Sequence, residues 1–318
     1  MILITGGLGF IGSHTARALL DLGESCVLTR HRTARIPAFL EDEVGSRLFV
    51  EPLDVTDPDA VLGLGERHSI TGIVHLAAVF FGSHSPVEEV QANTLGLLNV
   101  LRAATEWGVP RVSLASTVGV YLGVNETVLL EDVPLPMTAT HPIPAAKKSA
   151  ELLAGTVAER AGFEAVNLRI GAIWGPLGRP ESPFFPVPRL VHAAVRGEAA
   201  DFSPPRRPAY TDDGGDYCYV RDCGRAIALL QTADRLNHRT YNIGSGQVTK
   251  HTEVIEAIRT AIPDATIDLP AGRSPGAPAE DPYLDLTRLR QDTGFTPAYD
   301  PKRAVHDYIA WLNAGHER

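Results

Sequence analysis

Three glycines, Gly6, Gly9 and Gly12, recur at every third position directly after the apolar run Ile2-Leu3-Ile4. Glycine at that spacing admits positive φ in a turn, lets the backbone approach a ligand closely, and leaves room for a helix to pack on the strand. Ser13 to Leu20 continues with apolar residues at helical spacing. Strand, glycine turn and helix together form a dinucleotide cradle. A pyrophosphate there would meet free N–H groups at the positive end of the helix. The glycines, with Phe10 and Ile11 between them, are therefore read as cofactor-binding and not as a plain tight turn. A second chemical feature is the carboxylate pair Asp54 and Asp57 at the head of another predicted helix. Cys26, Cys218 and Cys223 have neither metal-ligand nor disulfide-framework spacing, so no metal is expected and a reducing cytoplasm is.

The elements that must hold these groups alternate. Strands are predicted at 24–30, 48–53, 72–78, 111–115, 167–173 and 240–243, with long helices at 88–107 and 145–160. That rhythm predicts an α/β fold of the Rossmann type, a doubly wound parallel sheet. Residues 1–175, rejoined by about 216–245, are expected to form the dinucleotide-binding domain. Residues 176–215, in which 176–188 and 203–215 are rich in Pro, Gly and Asp around a short helix at 190–196, are expected to form with 246–318 a smaller substrate-binding lid region. The 318 residues carry 38 Asp+Glu against 29 Lys+Arg, which leaves no basic face for nucleic acid. No apolar run reaches membrane-spanning length and no signal peptide precedes the first strand, so a soluble cytoplasmic protein is expected.

Several ordered motifs resemble the extended short-chain dehydrogenase/reductase family, which includes the nucleotide-sugar epimerases and dehydratases. They are Thr5-Gly6-Gly7-Leu8-Gly9-Phe10-Ile11-Gly12, Asp54-Val55, His75-Leu76-Ala77-Ala78, Asn93-Thr94-Leu95-Gly96, Ser116-Thr117 followed by Val120-Tyr121, Tyr219-Val220-Arg221-Asp222, and Tyr241-Asn242-Ile243-Gly244. The resemblance implies that Asp54 and Val55 contact adenine and that Ala77 and Ala78 wall the cofactor. It places Thr117, with Ser116 beside it, at the active-site hydroxyl, and Lys147 at the lysine that holds the nicotinamide ribose. Lys147 and Glu151 also read as an ordinary surface i,i+4 pair. His75 is expected to be a buried strand residue, and Asn93 a structural hydrogen-bonder. Where NAD enzymes of this kind carry an acidic residue after the second strand, this chain has Arg30, with Arg32 two residues on. A guanidinium can hold a 2′-phosphate bidentately, which predicts NADP(H) over NAD(H). Helices 88–107 and 145–160 occupy the places where the family pairs subunits, so a homodimer is expected.

Two departures shape the reaction expected. The family's proton-transferring tyrosine, four residues before the lysine, is here Ile143, and moving the frame to Lys148 gives Pro144. Isoleucine carries no proton. Ala172 stands where sugar-nucleotide enzymes have an asparagine, and Trp174 replaces a tyrosine. With Phe80, Phe81, Phe184 and Phe185 this suggests flat apolar walls for a small aromatic ketone. The expectation is an atypical NADPH-dependent ketoreductase, similar to the tyrosine-lacking reductases that tailor aromatic polyketide antibiotics of the simocyclinone type. Thr117 would hydrogen-bond the oxyanion, and the proton would come from the substrate, water, His84, His141 or Tyr121. The alternatives are a nucleotide-sugar epimerase or dehydratase with a substituted acid/base, and a non-catalytic NADP(H) sensor.

Overall fold

The computed structural model describes residues 1–31, 35–79, 82, 84–139, 141–204, 206 and 208–316. In chain order, β1 (Ile2–Thr5), α1 (Phe10–Asp21), β2 (Cys26–Arg30), α2 (Ala38–Glu41), β3 (Leu48–Pro52), α3 (Pro58–Arg67) and β4 (Gly72–His75) lead to α4 (Pro86–Trp107) and β5 (Arg111–Thr117). A 3-10 turn (Val118–Tyr121) and β6 (Val128–Leu129) precede α5 (Pro142–Ala161), β7 (Glu164–Ile170) and β8 (Ala172–Trp174). Then come α6 (Val187–Arg196), β9 (Gly214–Gly215), β10 (Tyr217–Tyr219), α7 (Val220–Thr232), β11 (Thr240–Ile243) and β12 (Thr249–Lys250). The chain ends with α8 (His251–Ala261), β13 (Tyr283–Leu284), α9 (Thr287–Thr293) and α10 (Pro301–Asn313).

Seven strands form one sheet in the order β11-β7-β5-β4-β1-β2-β3, every pair parallel. This is the doubly wound sheet the alternation predicts. Side chains along β1 alternate between its faces. Ile2 and Ile4 join Leu19, Leu20 and Ile227 on the α1 and α7 side, whereas Leu3 joins Val61, Leu64, Val100 and Ala154 on the α3, α4 and α5 side. Helices on both faces explain why β1 and β4 are apolar runs with no polar alternation. The order reverses between β1 and β4, so their C-terminal ends open a crevice suited to a ligand.

A third apolar core lies among α6, α8 and α10, built on Leu190, Ile258, Tyr308, Trp174 and Tyr219. The strand predicted over 167–173 is in fact two. Gly171 donates to the Ile243 carbonyl at 2.9 Å, and a Cβ there would lie 3.1 Å from Leu284 and 3.2 Å from that carbonyl oxygen. The chain turns at this bare position, and β8 leaves the main sheet to pair with β10. Among the described residues no helix is long and apolar enough to cross a membrane.

Candidate active site

The glycine turn leaves β1 with Gly6 at φ +67°, a conformation that side chains disfavour. A Cβ on Gly12 would lie 2.5 Å from the Gly6 carbonyl oxygen and 2.8 Å from Gly7, so the first turn of α1 folds onto the loop. Gly9, the N-cap, offers no side-chain cap, and α1 has no acidic residue in its first turn. The leading N–H groups therefore remain for an anion. This bare, positively polarised cradle fits a dinucleotide pyrophosphate.

The segment after β4 is held from two sides. The Thr5 hydroxyl accepts from the Ala77 amide at 3.2 Å and shares a hydrogen bond with Nδ1 of His75 at 2.7 Å. Asn93 of α4 accepts from the Val79 amide at 2.9 Å and donates to the carbonyls of Val79 and Glu89. Ala77 and Ala78 are thereby fixed opposite the glycine turn, and a Cβ on Gly6 would lie 3.1 Å from the Ala77 backbone. His75 is buried, as the sequence implies. Burial first, and then the Lys147 charge, hold its pKa down at about 3.

At the end of β5, Oγ1 of Thr117 accepts from the Gly119 amide at 3.1 Å and caps the 3-10 turn. Among the described residues its own hydroxyl hydrogen has no acceptor. The first turn of α5 lies against this turn, since a Cβ on Gly119 would come within 3.2 Å of Pro144. His141 caps α5, its Nδ1 accepting from the Ile143 amide at 3.2 Å, with prolines at 142 and 144. The two neighbouring lysines point apart. Lys148 donates its ammonium to the Pro136 carbonyl and, at 3.4 Å, to Thr138. Lys147 has no hydrogen-bond or ion-pair partner among the described residues, and burial pulls its pKa down to about 8. Its charge helps to lower the pKa of His75 on β4.

Glu151, one turn further along α5, does not pair with Lys147. Arg169 of β7 holds it bidentately, at 3.1 and 2.9 Å, and Ser116 donates to the same carboxylate. Arg169 also donates to the Tyr121 hydroxyl at 3.0 Å and the Glu131 carbonyl at 2.9 Å. Asn242 ties this cluster to β11 by donating to the Leu129 and Asp285 carbonyls and by giving its amide to Glu131. The surface-pair reading of Lys147 and Glu151 is thus corrected: the carboxylate is committed to a buried cluster. Ser116, 6% exposed, is tied to the same scaffold. Sequence reading missed the cluster, whose only trace was Arg169 and Asn242 among apolar strand neighbours.

Residues 2–244 match the model of the NAD dependent epimerase/dehydratase family. The chain belongs to that family. A UDP-glucose 4-epimerase of Azospirillum brasilense is 28% identical, the match covering 94% of this chain and 88% of that one. Among solved structures, the UDP-glucuronic acid 4-epimerase of Bacillus cereus in complex with NAD superposes with a TM-score of 0.80 at 20% identity over 98% of both chains. The UDP-N-acetylglucosamine 4-epimerase of Methanobrevibacter ruminantium, in complex with UDP-N-acetylmuramic acid, gives 0.80 at 23% identity over 99% of this chain and 98% of that one. These likenesses establish the fold.

The remaining predicted residues scatter around the cleft. Arg30 ends β2, its carbonyl accepting from the Leu53 amide, so it stands beside Asp54 at the neighbouring strand end. Its guanidinium has no partner among the described residues. Asp54 spends one oxygen on the Thr56 amide and hydroxyl, and Asn99 of α4 donates to the Val55 carbonyl. Asp57, as predicted, caps α3. His84 and His141 are exposed. Tyr121 is buried with its hydroxyl donating to Asn242, which removes it as a proton source. Trp174, expected in an apolar pocket wall, is 3% exposed and packs edge-on against Tyr219 and Tyr308 in the third core. Arg32, Phe80 and Phe81 lie outside the described residues.

Proposed function

We propose that this chain is an NADP(H)-dependent ketoreductase acting on a carbonyl of an aromatic polyketide-like molecule, with the proton supplied by the substrate or by water. The observation that carries the reading is the absence of a tyrosine hydroxyl one turn ahead of Lys147, where Ile143 stands, combined with the commitment of Tyr121 and Ser116 elsewhere. When bound, the nicotinamide supplies the hydride. Thr117, its oxygen already accepting an amide, donates its hydrogen to the charge that develops on the substrate oxygen. Lys147 holds ribose hydroxyls and adds positive potential. Arg30 holds the 2′-phosphate. A substrate with an acidic phenol beside its ketone has the least need of a protein acid, a group worth roughly 10²–10⁴-fold.

Charge on the substrate side supports an uncharged ligand. Arg189 pairs with Glu181, Arg206 with Asp201 and Glu181, and Arg273 bidentately with Asp281. A diphosphate would have to compete with these carboxylates. The activities named for the relatives favour a second reading, a nucleotide-sugar epimerase or dehydratase with a substituted acid/base. Exposed Val87, Val90 and Leu98 on α4 and Leu152 and Leu153 on α5 favour a homodimer through these helices. Three buried free cysteines suit a reducing compartment such as the cytoplasm.

The test is turnover by the purified protein with NADPH, offered hydroxylated aromatic ketones in one series and UDP- and dTDP-sugars in another. NADPH consumption with the ketones alone is expected. Turnover of a sugar nucleotide with inert ketones would install the second reading.

A further inference from the structure

Lys147 and Glu151 stand four apart on α5, a spacing at which an ammonium and a carboxylate ordinarily meet. They do not meet here. Both Glu151 oxygens are taken from the opposite side, one by Nη2 of Arg169 and the other by Nε of Arg169 together with the Ser116 hydroxyl. The pair is nearly closed to solvent, with side-chain exposures of 6% for Arg169 and 11% for Glu151. Arg169 is itself over-determined, since its Nη1 donates to Tyr121 and to the Glu131 carbonyl and its guanidinium lies 5.0 Å from the centre of the Tyr121 ring.

We propose that Arg169 is a positioning residue that acts through Glu151: by claiming that carboxylate it keeps the Lys147 ammonium without a counterion, available to a hydroxylated ligand at the sheet edge. This rests on the reading of Lys147 as the ribose-holding group. The surroundings of Lys147 agree with it. His75 of β4 feels the Lys147 charge and is held neutral. On the elements packed against α5, Ser116 of β5 and Arg169 of β7 are spent on Glu151, Thr117 caps the 3-10 turn, and Tyr121 bonds Arg169 and Asn242. On α4, Glu89 accepts from the Gly82 and His84 amides, and on α5 Lys148 is turned to the Pro136 carbonyl. Burial is the single cause that lowers Lys147, with no contribution from Glu151 despite the helical spacing. A carboxylate released from Arg169 would find the lysine one turn away. It would satisfy the ammonium and so withdraw it from a ligand.

The chain has four lysines, Lys147, Lys148, Lys250 and Lys302, so ¹³C-dimethylation of the full-length protein yields few NMR signals, and Lys147→Arg assigns the one that matters. In the wild type the Lys147 signal is expected to titrate near 8. In Arg169→Leu the midpoint should rise by one pH unit or more, and in Arg169→Leu with Glu151→Leu it should return to the wild-type value. NADP⁺ affinity, read by fluorescence, should fall several-fold in the single variant and recover in the double. A midpoint that stays raised in the double variant means the Arg169 charge alone held Lys147 down, which overturns the proposal. So does an unchanged midpoint in folded Arg169→Leu. Should Arg169→Leu not fold, Arg169→Gln carries the same expectation. The titration needs no ligand, so its failure leaves the NADP(H) reading standing, whereas a wild-type protein that titrates as stated but does not bind NADP⁺ sinks that reading alone.

Discussion

The Tyr121 hydroxyl donates to Oδ1 of Asn242 at 2.7 Å, joining the turn after β5 to the edge strand β11. The phenol also accepts from Arg169, so its hydrogen-bonding capacity is filled inside the scaffold. Tyr121→Phe should therefore leave the rate of NADPH-dependent turnover within about twofold. It should cost about 1–3 kcal/mol of stability, because a buried amide oxygen and a guanidinium lose a partner. Single-turnover kinetics and urea unfolding check the two halves separately. A hundredfold rate loss with unchanged stability would return Tyr121 to the reaction.

Ile143→Tyr places a phenol one helical turn before Lys147. A ketone with no acidic group of its own should then react on the order of 100-fold faster. One bearing its own neighbouring phenol should change little. Comparing the two substrates in the same variant is the check, and equal acceleration of both would mean that substrate acidity does not supply the proton.

Arg30→Ala should weaken NADPH binding by roughly 10- to 100-fold, the size of a lost charge-assisted hydrogen bond, while NADH binding stays nearly constant. Fluorescence titration with the two coenzymes measures it. Parallel losses for both would show that Arg30 does not read the 2′-phosphate.

Four buried histidines, His14, His75, His192 and His251, are held down by burial and set a pH dependence, of which His14 and His75 are two contributors. His14, stacked on Phe39 and bonded through Nε2 to the Pro176 carbonyl, is lowered to about 4 by burial, and His75 to about 3. In the unfolded chain both titrate near 6.5. Below that pH the unfolded state binds protons that the folded state refuses. The stability they contribute is complete above about 6.5 and is lost as pH falls toward 4, on the order of 1–3 kcal/mol per unit for the two together. Urea midpoints at pH 7, 6 and 5 should fall progressively, and His75→Gln should flatten the slope. An identical slope in that variant would show that His75 is not the source.

The centre of the sheet was legible because strands such as Ile2–Thr5 and Gly72–His75 are buried on both faces and spell out short apolar runs. The glycine turn was legible because its spacing answers a steric demand, as the crowding around Gly12 shows. The break at Gly171 was not, since it arises from Leu284 and Ile243, residues far away in the chain. The fate of Glu151 was hidden for the same reason. Local spacing favours Lys147, but a partner on β7 wins by burial and by two parallel hydrogen bonds. Trp174, an aromatic near a cleft in sequence terms, packs into the core among α6, α8 and α10, which its neighbours in the chain do not reveal.

The way α5 begins has a further effect. Pro142 and Pro144 have no amide hydrogen, and the amide of Ile143 between them is consumed by His141. Its opening turn is electrostatically muted, in contrast with the bare glycine-rich start of α1. The two helix starts thus differ in kind: α1 offers a negatively charged group bare main-chain amides, whereas at α5 only a side chain such as Lys147 is left to attract one.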